Sequence, residues 1–374
     1  MLYIGEPFQK ATPLPYLMAE PLIDVTKVEA STWLGSTTAI MRSMRIYMPR
    51  SYEDMVQKCD VVVLSDANVQ CFRVQEVQWI ADGVEKSGLG LFMPGGLESF
   101  GGQKVGVDWG PTRVGDILPV DTVVQGYDID PLGFALQIEI WNNSFIRSIP
   151  WDSLRPPQNS FGEMNVVTQR SGSTRLASAV RARDGFRHPF LVDWDVGKGR
   201  SVAMSADWTP AGAGQFIGWN YYGDYVVGLM IYTAQRDVPD SRLLHHMRTA
   251  FSDFSVRKRL IISMMEFVDK FGANPRPVEE RMGKADDIRR QASVHYVEYE
   301  FELAGDEMAE ATDLLDQALA TALKVKDAAL LWVYLTEWCA VSGTFVMSGL
   351  VLYSLMIRRR IYREARTTKL LGIG

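Results

Sequence analysis

Residues 60–102 constrain the fold more than any other stretch, because strand, helix, strand and glycine cluster follow one another with almost no slack. Asp60 to Ser65 reads DVVVLS, a β-branched apolar run closed by Asp66, as a strand buried on both faces requires. Arg73 to Lys86 then places Val74, Val77, Ile80, Ala81 and Val84 on one helical face, and Gly88 ends it. Leu89 to Met93 is the next strand. A strand–helix–strand unit of about 30 residues predicts a right-handed parallel crossover. The run GLGLFMPGGLESFGG, from Gly88 to Gly102, turns sharply at Pro94, Gly95 and Gly96. Such a strand tip carries the nucleophile in α/β enzymes with a strand-to-helix elbow. No cysteine stands on it.

The first 238 residues alternate strand-length apolar runs with amphipathic stretches, which predicts an α/β domain. Leu2 to Gly5 is its candidate first strand. Phe190–Val196 and Arg200–Ser205 flank Gly197-Lys198-Gly199 as a β-hairpin would. The second of these strands closes at Asp207, before a segment carrying Trp208, Phe216, Trp219, Tyr222 and Tyr225. These aromatics are expected to pack a helix onto the sheet, or in part to line a pocket at the strand ends.

After Pro239 the pattern becomes helical. Asp240 or Ser241 caps a helix with Leu244, Met247, Phe251, Phe254, Ile261 and Met264 in its stripe, and Pro275 and Pro277 stop it. A second stretch, strongly charged through Arg290, is expected to break or bend near Gly305. It then carries Leu315, Leu319, Ala322 and Leu323 on one side into an apolar segment. The predicted organisation is an α/β domain over 1–238, a helical hairpin or stalk over 239–327, a transmembrane helix over 328–357 and a basic tail over 358–374.

Ala328 to Ile357 has one ionisable side chain, Glu337, and residues 338–357 have none. Twenty helical residues span about 30 Å, the thickness of a hydrocarbon core. Trp332, Trp338 and Tyr353 flank the segment as interface anchors. Glu337 is near enough to one end to reach the interface, and Ser342, Gly343 and Gly349 permit close approach of a partner helix. The expected partners are therefore the lipid bilayer, through 328–357, and other membrane subunits or a second copy, through stalk and span. The tail carries Arg358, Arg359, Arg360, Arg363, Arg366 and Lys369 against Glu364, and the positive-inside rule would put it in the cytoplasm and the large domain outside. Against this, the N-terminal residues lack a basic-then-apolar export pattern. The reading leans to a cytoplasm-facing domain.

A net charge of −6 without a basic surface argues against nucleic-acid binding. Cys59, Cys71 and Cys339 have neither disulfide nor zinc spacing. His245 and His246 point about 100° apart on a helix and cannot share a metal. No metal or cofactor is expected. Asp66 and Asp207 close strands at one sheet edge, where two carboxylates can act as an acid/base pair or hold a divalent cation. The Gly95–Gly102 loop, with Gly95, Gly96 and Ser99, is a candidate ligand contact, although Glu98 or Ser99 as a helix cap explains it equally. Cys71 precedes a helix that would lower its pKa, and His188 is the α/β domain's single histidine.

DVVVLSD, GLGLFMPGGLESFGG, Trp109 with Thr112 and GDILPV, and HPFLV with GKGRSVAMSADW together resemble the glutamine amidotransferase-like proteins. These are relatives of the class I glutamine amidotransferase superfamily, and the resemblance covers about residues 1–236. It implies a flavodoxin-like three-layer sandwich with a mostly parallel sheet. Active members of the superfamily carry a cysteine on the elbow and a histidine and glutamate after a later strand. The elbow maps to Gly95-Gly96, and the later strand offers Asp207 and Trp208. Aligning MPGG with the oxyanion-side PGG instead moves the nucleophile downstream, yet no cysteine occurs between residues 72 and 338. The expectation is a catalytically inactive, membrane-anchored binding or scaffolding subunit. The alternative is an amidotransferase or hydrolase using Cys71 with His188, or Asp66 and Asp207 with a metal.

Overall fold

In the computed structural model, residues 1–6, 13–32, 35–103, 106–154, 161–270 and 274–370 are described, with backbone alone at 210, 211, 268 and 364–370. The chain divides into two compact units, Met1–Thr249 and Ala250–Gly374.

The first unit is built on one sheet of nine strands: β1 (Leu2–Gly5), β2 (Thr26–Glu29), β3 (Val61–Ser65), β4 (Gly90–Pro94), β5 (Val120–Ile138), β6 (Phe161–Gln169), β7 (Thr174–Arg181), β8 (Arg187–Val196) and β9 (Gly199–Met204). Their order is β2-β1-β3-β4-β9-β8-β7-β5-β6. The crossover read from residues 60–94 is present: β3 and β4 pair in parallel, joined by the helix Val74–Ser87 with left-handed Gly88 as its cap. That helix buries Val77, Ile80, Ala81 and Val84, each full burial contributing about 1.5–3 kcal/mol for the larger aliphatics. Val74 departs from the expected face; it is the first helical residue and lies in solvent.

The expected mostly parallel sheet is not what forms. β2, β1, β3, β4 and β9 are parallel, but every pairing from β9 through β8, β7 and β5 to β6 is antiparallel. The antiparallel strands are the longer ones, so the sheet is mostly antiparallel and the architecture is mixed α/β. The reason lies between Val120 and Val196. There the described chain has only two short helical turns, Ser144–Ser148 and Trp151–Ser153, too little to carry parallel crossovers. β5 runs for 19 residues, and its register with β6 shifts between Thr122 and Tyr127 and again between Ile129 and Phe134. The β8–β9 hairpin forms where the glycines predict it.

The aromatic segment packs rather than opens a cavity. Trp208, Phe216, Tyr222 and Tyr225 are buried, and Phe216 lies 5.0 Å from Phe161 and 4.9 Å from Tyr225, ring to ring. They seat the wholly buried helix Tyr222–Thr233 on the sheet.

In the second unit, Arg276–Val297 and Phe301–Leu370 form a helical hairpin. Val278, Ala285, Ala292 and Tyr296 of the first arm and Ala304, Met308, Ala311, Leu315, Ala318, Ala322 and Ala329 of the second are among its buried residues. The small alanines let the two backbones approach. The break expected near Gly305 falls instead at Tyr299, whose φ of 69° reverses the chain. Gly305 sits inside the second arm, where one glycine costs about 1 kcal/mol and packing outweighs it. Leu323, expected on the packed side, is exposed. The helix Ser241–Asp269 adds Lys258, 2.7 Å from Asp286, and Phe251, edge-on to Tyr296. Phe301–Leu370 runs on without interruption into the apolar segment, where Trp338 and Phe345 are 71% and 82% exposed. By length and composition this helix is apolar enough to cross a membrane.

Candidate functional site

The strands β1, β3, β4 and β9 run the same way, so Glu6, Asp66, Gly95-Gly96 and Asp207-Trp208 follow their carboxyl ends at one rim. The order β2-β1-β3-β4-β9 changes its direction of growth between β1 and β3, and open α/β sheets take their ligands outside strand ends at such a point.

At the elbow, the Gly95 N–H donates to Ala206 O at 3.0 Å, tying the turn to the chain beyond β9. A Cβ on Gly95 would stand 2.3 Å from Ser205 O, and one on Gly96 would stand 2.6 Å from Asp66 Oδ1. The Asp66 carboxylate thus fills the space a nucleophile would need. Asp66 itself is left-handed, φ 50°, and its Oδ1 accepts from the Glu98 N–H at 2.5 Å while its own N–H donates to Ser99 Oγ at 3.2 Å. Asn165, from β6, closes the knot. Its Oδ1 accepts from the Gly96 N–H at 2.8 Å, and its Nδ2 donates to Gly96 O at 3.1 Å and Ser99 O at 3.2 Å.

Neither Glu98 nor Ser99 caps a helix. Residues 97–101 are turns, and the next helix, Arg113–Ile117, is capped by Thr112. The Glu98 carboxylate instead accepts from Thr32 N–H at 2.7 Å, Asn68 Nδ2 at 3.0 Å and Ser31 Oγ at 3.1 Å. Such a crossbridge from loop to loop replaces the expected local cap because Glu98 is fully buried and needs several donors.

The rim is acidic. Burial, reinforced by the charges of Asp207, Glu98 and Glu6, pushes the Asp66 carboxyl up to about 8, against the pull of the Glu98 N–H. Glu6 is pushed up to about 7, by burial first and then by Asp207 and Glu98. Asp207 is pushed up to about 6, again mainly by burial, although Thr209 donates to it through N–H at 2.8 Å and Oγ1 at 2.6 Å. Trp208 Nε1 donates to Ser65 Oγ at 2.8 Å, and its ring stacks on Tyr3. The Tyr3 and Tyr127 hydroxyls are buried and, among the described residues, make no hydrogen bond of standard geometry, although Ser65 and Glu163 lie beside them. This arrangement raises the proton affinity of Asp66 well above that of an ordinary carboxylate.

The structure therefore brings Asp66, Gly95, Gly96 and Ser99 into one hydrogen-bonded knot, with Asp207 and Trp208 on the neighbouring strand end. It does not bring Cys71 to His188. Cys71 ends a single helical turn, Val69–Cys71, and is 2% exposed. Burial and the Glu98 carboxylate push its thiol up to about 11, the reverse of the lowering expected from the helix that follows. His188 lies on β8 with β4 and β9 between it and β3, about 14 Å away at the usual strand spacing. Its Nε2 is 3.0 Å from Asp128, and Phe134 and Phe186 stand edge-on to its ring. Burial lowers its pKa. Among the described residues no group of three or more His, Cys, Asp or Glu side chains is placed to hold a metal ion.

Asn165, Glu6, Glu163 and the two tyrosines escaped the sequence reading, and Glu98 was read only as a local cap. One signal was present: SFGG beside a glutamate leaves a charged side chain in a run otherwise too small and apolar to stay in solvent. Asn165 carries no comparable mark, since its partner positions lie more than 60 residues away.

Residues 48–233 match the family model described as "Putative glutamine amidotransferase". In structure the chain is similar to the cytoplasmic protein STM3548 from Salmonella typhimurium, with a TM-score of 0.50 and 19% identity over 62% of this chain and 97% of that one. It is also similar to the cytoplasmic protein STM1381 from Salmonella typhimurium LT2, at TM-score 0.48 and 21% identity over 62% and 98%. No curated protein matches the chain in sequence. The likeness to STM3548 is one of fold. The family match ends at residue 233, before the helical region.

Proposed function

We propose that this chain is a membrane-anchored, glutamine amidotransferase-like protein that performs no thiol chemistry and serves as a binding or scaffolding subunit of a membrane assembly. The observation that carries the reading is the Asp66 carboxylate at the elbow, 2.6 Å from where a Gly96 side chain would begin. A domain whose nucleophile position is closed by a hydrogen-bonded carboxylate retains the shape of the family without its reactive atom. The match of residues 48–233 supports the domain assignment, and the exposed apolar helix supports the anchor. The rim of Asp66, Gly95, Gly96, Ser99, Asp207 and Trp208 is the surface we assign to ligand or partner contact. We place the large domain on the cytoplasmic side.

The purified chain is expected to release no ammonia from glutamine and to take no label from a glutamine-analogue electrophile. Labelling that is lost in Cys71→Ala would sink the reading in favour of a thiol enzyme, and metal-dependent hydrolysis lost in Asp66→Asn would favour the two-aspartate alternative. The anchor has its own check. The wild-type chain should remain with membranes through an alkaline carbonate wash. A Val346→Arg, Leu350→Arg double variant should be released, since each arginine at mid-span costs about 2.5–3.5 kcal/mol on insertion scales. Equal retention of both would remove the bilayer from the proposal.

A further inference from the structure

Away from the rim, the first unit holds a cavity of about 520 Å³ between the end of β5, the helical turns of 144–153 and the start of the helix Ser241–Asp269. That volume lies within the range of small-molecule sites. Its apolar walls are Leu136, Ile138, Ile149 and Leu154 with Trp141 and Trp151, and Asp152 and Asp240 also line it. Trp151 is a fixed wall, because its Nε1 donates to Ile146 O at 2.8 Å and its ring stacks on Trp219 at 5.9 Å. Trp141 is the opposite case. Its indole is 62% exposed, a large ring left uncovered at the mouth of a concave site.

Two arginines share the lining, and their situations differ. The Arg242 guanidinium lies 3.7 Å from Asp152, so its charge has an acidic neighbour, while its backbone N–H donates to Asp240 Oδ1 at 2.7 Å. Arg147, in the last turn of Ser144–Ser148, has no acidic partner among the described residues. An arginine fork beside bare aromatic surface matches a planar anion in both charge and shape. A ring stacked on an exposed tryptophan also gains by covering it.

We propose that this cavity binds a small amphipathic anion, a carboxylate or phosphate monoester carried on a ring, with the anion on Arg147 and the ring against Trp141 and Trp151. The site is separate from the elbow and does not depend on the question of thiol chemistry.

Phenyl phosphate, benzoate and the neutral benzyl alcohol are suitable probes. Each is titrated by saturation-transfer NMR against the full chain in lipid nanodiscs. At least one anion should bind saturably and at least tenfold more tightly than the alcohol, and the preferred anion tells phosphate from carboxylate. Arg147→Ala and Trp141→Ala should each weaken that binding at least tenfold, with Arg147→Lys losing less. Both side chains are exposed, so the variants should melt as wild type does, and Arg42→Ala should leave the titration unchanged. Equal affinity for acid and alcohol, unchanged binding in either alanine variant, or no saturable binding of either anion at millimolar concentration would overturn the assignment.

Discussion

Asp66→Asn is expected to melt at a higher temperature than the wild-type chain at alkaline pH, and at the same temperature in acid. The carboxyl is 7% exposed and held at about 8, against about 3.9 in an unfolded chain. A raised folded-state value means that the folded form binds the proton more tightly. The contribution to stability is complete below about pH 4 and is lost as pH rises through 8. The shift alone sets a ceiling of about 5–6 kcal/mol. Glu6 and Asp207 titrate in the same pocket and share the effect, so on the order of 3 kcal/mol is expected for Asp66 by pH 9. Asparagine keeps the oxygen that accepts from the Glu98 N–H and tolerates the left-handed backbone at φ 50°. The gap between variant and wild type should open from about pH 4 and widen to pH 9 in thermal melts. Parallel curves would mean that Asp66 is ionised throughout and that the rim is wetter than its burial implies.

Restoring a thiol at the elbow should fail, and should fail unequally at the two glycines. At Gly96 the new Cβ meets the Asp66 carboxylate, a short side chain that can be displaced at the cost of its hydrogen bond to Glu98. Overpacking of this kind costs about 1–3 kcal/mol, and the φ of 156° at Gly96 adds backbone strain that no change at Asp66 relieves. At Gly95 the obstacle is backbone: Ser205 O at 2.3 Å and Ala206 C at 2.6 Å, both in the chain leaving β9. Relief there requires two strand ends to separate and the Gly95–Ala206 hydrogen bond to be lost. Gly95→Cys should therefore destabilise by more than Gly96→Cys, by about 4 kcal/mol or enough to prevent folding. Neither variant should hydrolyse glutamine, because His188 on β8 lies two strand spacings, about 10 Å, from β4, and its Nε2 is 3.0 Å from Asp128 on β5. Denaturant titrations measure both costs. Adding Asp66→Ala should recover the overpacking part of the Gly96→Cys loss, leaving the backbone strain at φ 156°, and none of the Gly95→Cys loss, since contacting residues couple and distant ones do not. Equal losses at both positions would show that the elbow is looser than the contacts indicate.

These two experiments probe features of unequal visibility in the sequence. The β3–helix–β4 unit, the β8–β9 hairpin, the buried aromatic helix and the apolar C-terminal run were all legible, because each is written in local periodicity and in glycines at fixed offsets. The apolar helix needs no partner segment to declare itself; twenty uncharged residues in a row suffice. The glycine elbow and the missing cysteine are equally local. Burial on one helix face could be read for Val77 to Val84, though not the fate of Val74, whose exposure depends on where the first turn begins.

The antiparallel half of the sheet and the wiring of the rim were decided in three dimensions. Whether Val120–Ile138 pairs parallel or antiparallel depends on what lies beside it, and β-strand pattern alone carries no direction. The Asn165–Gly96 and Glu98–Asn68 bonds join residues 69 and 30 positions apart. No spacing rule connects such pairs; only the approach of β6 to the chain leaving β9, where the Asn165 N–H donates to Ser205 O, and of the loops after β3 and β4 to each other does. The same holds for the acids: Asp66 and Asp207 are ordinary strand-closing carboxylates on paper, and it is shared burial that raises their proton affinity. Composition and period determined which segments fold as strand, helix or apolar span. Long-range proximity determined which side chains lose their water together, and that loss gives the elbow its chemistry.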